Sequence, residues 1–141
     1  MSLLNYTTKI EASKTVGEIQ ALLAKNGAQS VLNEYDNQGY IIAVSFTLTV
    51  NDIFMTIKLP SDWRPVLEVL QRDNKIPKGL KTQEQALRVS WRIVLRWVDA
   101  QMAILATKIV KIDQIFLPYA VTDNGQTLYE RFAVNPQLLL N

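Results

Sequence analysis

The sequence predicts an α+β fold, an antiparallel β-meander of three to four strands packed against an N-terminal helix and a long C-terminal-half helix. Three observations carry that expectation. Apolar residues alternate strictly from Tyr40 to Val50, the dipeptide Asn51-Asp52 is followed by a second alternating run, and a helical apolar pattern extends from Gln83 to Thr107.

The alternating run places Tyr40, Ile42, Val44, Phe46, Leu48 and Val50 in phase, with Ser45, Thr47 and Thr49 on the other face. Asn51 and Asp52 both tolerate positive φ, so they suit a two-residue hairpin. Ile53, Met55, Ile57 and Leu59 then alternate again. The hairpin pairs Val50 with Ile53, Leu48 with Met55, Phe46 with Ile57 and Val44 with Leu59. A one-residue slip would split this apolar set between two faces, so the register is well specified. Ala28 to Tyr35 reads as a third strand, joined through the turn Asp36-Asn37-Gln38-Gly39. A four-residue loop would set Asn33 opposite Ile42 on the apolar face, which a bulge would relieve.

Before the strands, Asn5 to Ile10 has β-favouring residues and reads as an edge strand. Thr15-Val16-Gly17-Glu18 fits a capping box. It opens a helix Val16–Asn26 with Val16, Ile19, Leu22 and Leu23 on one face and Asn26-Gly27 as its stop. After the hairpin, Ser61-Asp62 caps a short helix from Trp63 with Pro65 in its first turn. Arg72 to Lys81 is a polar connector. Thr82, with Gln85 three residues on, caps the long helix. Its two apolar stripes are Leu87, Trp91, Val94, Val98, Met102, Leu105 and Ala86, Ile93, Trp97, Ala100, Ile104. A helix this apolar either crosses the sheet under other segments or forms an oligomer interface. Further on, Ile112 to Phe116 suits a helical turn, Pro118 to Val121 is extended, and Leu128 to Val134 is either a short helix or a last strand.

The 141 residues, with 48% hydrophobic and 20% charged, suit one domain spanning 1–141 with a real core. There is no cysteine and no histidine. Disulfides, thiolate zinc sites, cysteine nucleophiles and serine–histidine triads are therefore excluded. No cofactor and no metal is expected, and a cytoplasmic location is. The start carries no signal-peptide pattern, and no run approaches the length of a membrane span, so no membrane partner is expected.

Charge is distributed unevenly. Arg72, Lys75, Lys78, Lys81, Arg88, Arg92 and Arg96 stand against Asp73 and Glu84, a net of +5 that leaves −3 for the rest of a +2 chain. The three helix arginines recur every fourth residue, about 6 Å apart along one face. Such a ladder could follow nucleic-acid phosphates. The competing reading is a solvated face, with Glu84–Arg88 and Arg96–Asp99 as ordinary helical ion pairs. Trp63, Trp91 and Trp97 could stack bases, although Trp91 and Trp97 sit on apolar stripes that suit a core. The loop Asp123-Asn124-Gly125-Gln126-Thr127 is a turn with one anion-binding feature, its glycine. The carboxylate pairs Glu34/Asp36 and Asp113/Asp123 are the candidates for acid–base or metal work, although Asp36 suits its turn and Asp113 a cap.

Three segments carry a resemblance. They are Lys14-Thr15-Val16-Gly17-Glu18-Ile19-Gln20 with Tyr35-Asp36-Asn37-Gln38-Gly39, Trp91-Arg92-Ile93-Val94-Leu95-Arg96-Trp97-Val98-Asp99-Ala100-Gln101, and Phe116-Leu117-Pro118-Tyr119 with Gly125-Gln126-Thr127-Leu128-Tyr129. Together they resemble an uncharacterised family of small proteins found in bacteriophages and prophage regions. The resemblance implies a cytoplasmic phage-type protein tied to nucleic-acid metabolism, with no activity attached. The order helix, three strands, helix is also similar to double-stranded RNA-binding domains. The helix from Trp63 and the residues after the long helix depart from that pattern, and the likeness is one of fold alone.

Two functions follow as expectations. One is a non-catalytic accessory protein that meets nucleic acid through 72–96. The other is a protein-interaction or self-assembly module, a homo-oligomer built on the apolar long helix and the tail Leu138–Leu140.

Overall fold

The computed structural model describes Leu3 and residues 5–139. Its elements, in chain order, are α1 (Ala12–Lys25), β1 (Ser30–Tyr35), β2 (Ile41–Val50), β3 (Ile53–Lys58), α2 (Trp63–Arg72), α3 (Gln83–Ala106), α4 (Ile112–Phe116) and α5 (Leu128–Val134), with short 3₁₀ turns between some of them. The strands form one antiparallel sheet in the order β1-β2-β3. The fold is α+β, as the alternation and the helical pattern predict.

The hairpin has the predicted register, with Val50 opposite Ile53, Leu48 opposite Met55 and Phe46 opposite Ile57. The Leu59 N–H donates to the Val44 carbonyl at 3.0 Å, which extends that register by one more pair. Asn51 and Asp52 take φ of 50° and 65°, the geometry of a type I′ turn. On the other side a bulge falls between Glu34 and Tyr35, and the pairing skips Ile42. Asn33 thus stands opposite Val44 rather than Ile42, and the phase of β2 reverses at its start. Ile41 is buried and Ile42 exposed. Asn33 keeps its place on the inner face because the Gln20 amide of α1 donates to its Oδ1 at 2.9 Å.

One face of the sheet carries the main core. Val16, Ile19 and Leu23 of α1 meet Val44, Phe46, Leu48 and Ile57 of the sheet and Trp91, Val94, Val98 and Met102 of α3. Phe116 of α4 closes this cluster, its ring edge-on to both Phe46 and Trp97. A second cluster lies along the first half of α3, where Leu70 of α2, Ile76 of the connector and Ala86 pack with Trp63, Val66, Leu67, Leu80, Leu3 and Tyr6. The long helix therefore crosses the sheet and continues past it under α2. Ile104 is its one exposed large apolar side chain among the described residues. Of the tail, Leu140 and the side chains of Leu138 and Leu139 lie outside the described residues.

Several expectations give way, among them the extended stretch from Pro118 to Val121, whose first two residues lie in a 3₁₀ turn, Leu117–Tyr119. Helix α1 begins at Ala12 with Glu11 as its N-cap, so Thr15 is a buried first-turn residue and not the cap. Apolar burial of Thr15 and Val16 outweighs the local capping signal. Residues 5–10 form a turn and a stretch without regular structure rather than an edge strand. Asn5 takes φ of 62°, and the Tyr6 and Thr8 carbonyls accept hydrogen bonds from the buried Gln85 Nε2 at 2.8 and 3.0 Å. A single side-chain amide thus supplies the donors that a sheet would have given. Gln85 still presents its backbone N–H to Thr82 Oγ1, but its side chain serves the N-terminal segment instead of closing the capping box.

Gln85→Ala is expected to leave two carbonyls without their donor and to destabilise the chain by about 1–3 kcal/mol. Urea unfolding measures the loss, and hydrogen exchange should show residues 5–10 opening first. Asp52→Gly is expected to stabilise the hairpin by about 0.5 kcal/mol by relieving positive φ at the turn, read in the same unfolding experiment.

Candidate functional site

Of the seven predicted cations, Arg88 and Arg92 are paired, Arg96 stands alone on α3 among the described residues, and the other four sit on the connector. Arg88 and Arg92 point from α3 towards α1 and the N-terminal segment. Arg92 Nη1 donates to Glu18 Oε2 of α1 at 2.8 Å, with its side chain 15% exposed. Arg88 is bound by Glu84 Oε1 at 2.6 Å and by Gln85 Oε1 at 2.9 Å, with Glu11 at 3.9 Å. The Arg92 rung joins two helices, because α1 packs beside α3 and brings Glu18 with it, whereas Arg88 is held mainly within α3. Arg96, one turn further on, is exposed and makes no ion pair among the described residues. The expected i, i+3 partner Asp99 is exposed as well.

The connector holds the remaining four. Arg72 ends α2, where its charge complements the helix dipole. The chain then turns through Asp73, whose Oδ1 accepts from the Lys75 N–H at 3.0 Å. Ile76 is buried in the second cluster, and Leu80 packs against it. A 3₁₀ turn at Lys78–Leu80 carries the second of these anchors and leads towards α3. Lys75 and Lys78 are exposed and Lys81 half-exposed, its Nζ resting 3.4 Å from the Gln71 carbonyl. None of Arg72, Lys75, Lys78 and Lys81 pairs with a carboxylate among the described residues. The connector is thus a pinned loop whose cations face water.

The tryptophans go largely to structure. Trp91 is fully buried, and its indole N–H donates to the Ile41 carbonyl at 3.0 Å. Trp97 is half-buried between Phe116 and Tyr119. Trp63 is half-buried and lines a cleft of about 720 Å³ with Glu34, Asp36, Lys58, Asp62, Arg64 and Glu130. This cleft gathers the candidate pair Glu34 and Asp36, of which the sequence assigns Asp36 to a turn, with two further carboxylates, Asp62 and Glu130, that local spacing does not group with them. Three of the four carboxylates already serve the fold. Asp36 Oδ1 accepts from the Gln38 and Tyr40 N–H groups, Asp62 caps α2 and is forked by Arg64, and Glu130 closes the capping box of α5 with Thr127. Among the described residues no group of three such side chains is arranged to hold a metal ion.

The loop 123–127 likewise spends its donors on itself. The Gly125 N–H reaches the Thr122 carbonyl, the Gln126 N–H reaches Asn124 Oδ1 and the Thr127 N–H reaches Glu130. An anion would find few free N–H groups there.

The hydrogen bonds from Arg64 hold the Asp62 carboxyl below the usual carboxylate range, and those from Thr127 do the same for Glu130. A lowered folded-state pKa means a contribution that is present above the unfolded value and lost as pH falls through the folded one. The caps of α2 and α5 should therefore hold at neutral pH and weaken only as pH falls through the lowered folded-state values of Asp62 and Glu130. Asp62→Ala is expected to cost about 1 kcal/mol at pH 7, with the difference from the parent chain vanishing in strong acid, as measured by urea unfolding across pH.

No described helix is long and apolar enough to cross a membrane. Comparison with protein-family profiles, with curated proteins and with solved structures finds no match.

Proposed function

We propose that the protein is a non-catalytic cytoplasmic accessory protein that binds nucleic acid through the connector between α2 and α3. The observation that carries this reading is the set Arg72, Lys75, Lys78 and Lys81, four cations within ten residues and without carboxylate partners among the described residues. Ile76 and Leu80 anchor the loop in the second cluster, so the lysines before and after them are held outward at a spacing of three. Backbone phosphates are the polyanion such a row suits, because point charges on flexible stems neutralise phosphate without reading bases. The expected binding is accordingly indifferent to sequence. Arg88 and Arg92 play no part in it. Their charges are spent on Glu84 and Glu18, and reversing them would disturb the packing of α1 on α3.

Fluorescence titration of labelled duplex and single-stranded DNA and RNA tests the reading. Four phosphate contacts imply that log K falls with log salt at a slope of about −3 to −4. Each of Lys75→Glu, Lys78→Glu and Lys81→Glu should weaken binding uniformly across sequences and reduce that slope by about 1. Lys14→Glu, on the exposed side of α1, should leave it unchanged. Absence of binding at low salt, or binding indifferent to the three connector reversals, contradicts the proposal.

A further inference from the structure

The outer edge of β1 has no strand beside it among the described residues. Its backbone direction follows from the hairpin. The Val44 carbonyl faces β3, where it accepts from Leu59. Antiparallel strands alternate, so β2 turns Ser45 and Thr47 towards β1. Strand β1 in turn gives the peptide groups of Ser30, Leu32 and Glu34 to β2, and those of Val31 and Asn33 to the open edge. The usual protections of such an edge are missing. It has no proline and no lysine, its bulge lies at its far end, and Glu34 is its one charge. Leu32 stands on the uncovered face of the sheet, 62% exposed.

Helix α1, above this edge, is bare in the same direction. Glu18 reaches α3 on one side of the helix, and Gln20 reaches Asn33 of β1 on the other. At 3.6 residues per turn, Ser13, Gly17 and Ala24 continue the flank that Gln20 begins. All three are exposed, and a Cβ at Gly17 would meet nothing within 4 Å. The charged residues Glu11, Lys14, Glu18 and Lys25 fall on the outward and α3-facing sides. Nothing bulky or charged on α1 bars a second helix from approaching there.

We infer that this edge is a self-association surface, and that its occupant is the β1 strand of a second copy, paired antiparallel about a two-fold axis through Leu32. In that register the Val31 and Asn33 peptide groups exchange hydrogen bonds with Asn33 and Val31 of the second copy. Leu32 meets its own copy at the close, non-hydrogen-bonded position. Glu34 falls opposite Ser30, so no like charges face each other. The two-fold axis leaves both α1 helices on the same face, flank beside flank. A second copy thus covers helix and strand together, which a lone peptide strand would not. The chain's net charge of +2 offers little repulsion. The strand is about 20 Å long and the two layers about 10 Å apart. Such a face buries on the order of 400 Å² per copy, half of what a standard interface needs. The dimer is therefore weak and concentration-dependent.

Sedimentation velocity from about 10 µM to 1 mM tests the inference on the whole chain. The mass should rise from 16.0 kDa towards twice that value. Leu32→Lys and Leu32→Glu, at an exposed position that leaves the fold intact, should each weaken association at least tenfold, and an equimolar mixture of the two should restore it. Phe54→Lys, on the same face but away from the edge, should have no effect. Amide exchange at Val31 and Asn33 should slow as concentration rises. A monomer throughout the range, association that survives both Leu32 changes, loss on Phe54→Lys, or a mixture that fails to re-associate would overturn the inference.

Discussion

The hydrogen bond from the Trp91 indole to the Ile41 carbonyl fixes how the long helix lies on the sheet. Both groups are buried, and the distance is 3.0 Å. A buried carbonyl without a donor is costly, so the indole cannot move far along the strand. That single contact sets the position of α3 at the end of the sheet where β1 turns into β2. On one side of Trp91 the helix presents Val94, Val98 and Met102 to the sheet and α1. On the other it presents Ala86 to Leu70 and Ile76. The helix is the element common to both clusters, and Trp91 sits where they join.

From that position the charges follow. With α3 set, α1 packs beside it, and Glu18 meets Arg92 because both helices are fixed by their apolar faces. The pair is a consequence of packing more than a cause of it, since half-exposed ion pairs contribute modestly. The same placement brings Gln85 over residues 6–8 and leaves the connector at the C-terminal end of α2, where no carboxylate among the described residues pairs with its cations. The division of the seven cations into spent and free is thus set by the core.

Much of this was legible in the sequence. The hairpin was, because eight apolar residues in alternation admit one register. The long helix and its inner stripe from Leu87 to Met102 were legible too, as were the caps at Asp62 and Thr82. What escaped were contacts between segments distant in the chain. The Glu84–Arg88 pair was legible from its helical spacing, but the fate of Arg92 depended on Glu18 of α1, 74 residues away in sequence. No local signal marked Gln85 as the donor to Tyr6 and Thr8, since its spacing from Thr82 suited a capping box equally well. The bulge at Ile42 was foreshadowed only by the awkward place of Asn33, and the partner of the Trp91 indole by nothing beyond the need of a buried N–H for an acceptor. The connector lysines were visible as charges, but their freedom from carboxylates is a tertiary fact.

The central claim is that α3, held by Trp91, couples the two clusters. Native-state hydrogen exchange on Trp91→Phe tests it most directly, since the ring is largely kept and the donor lost. The account predicts that protection falls by the same amount, about 1–3 kcal/mol, at Phe46 in β2 and at Leu70 in α2. A loss confined to the sheet, with α2 unchanged, would contradict it.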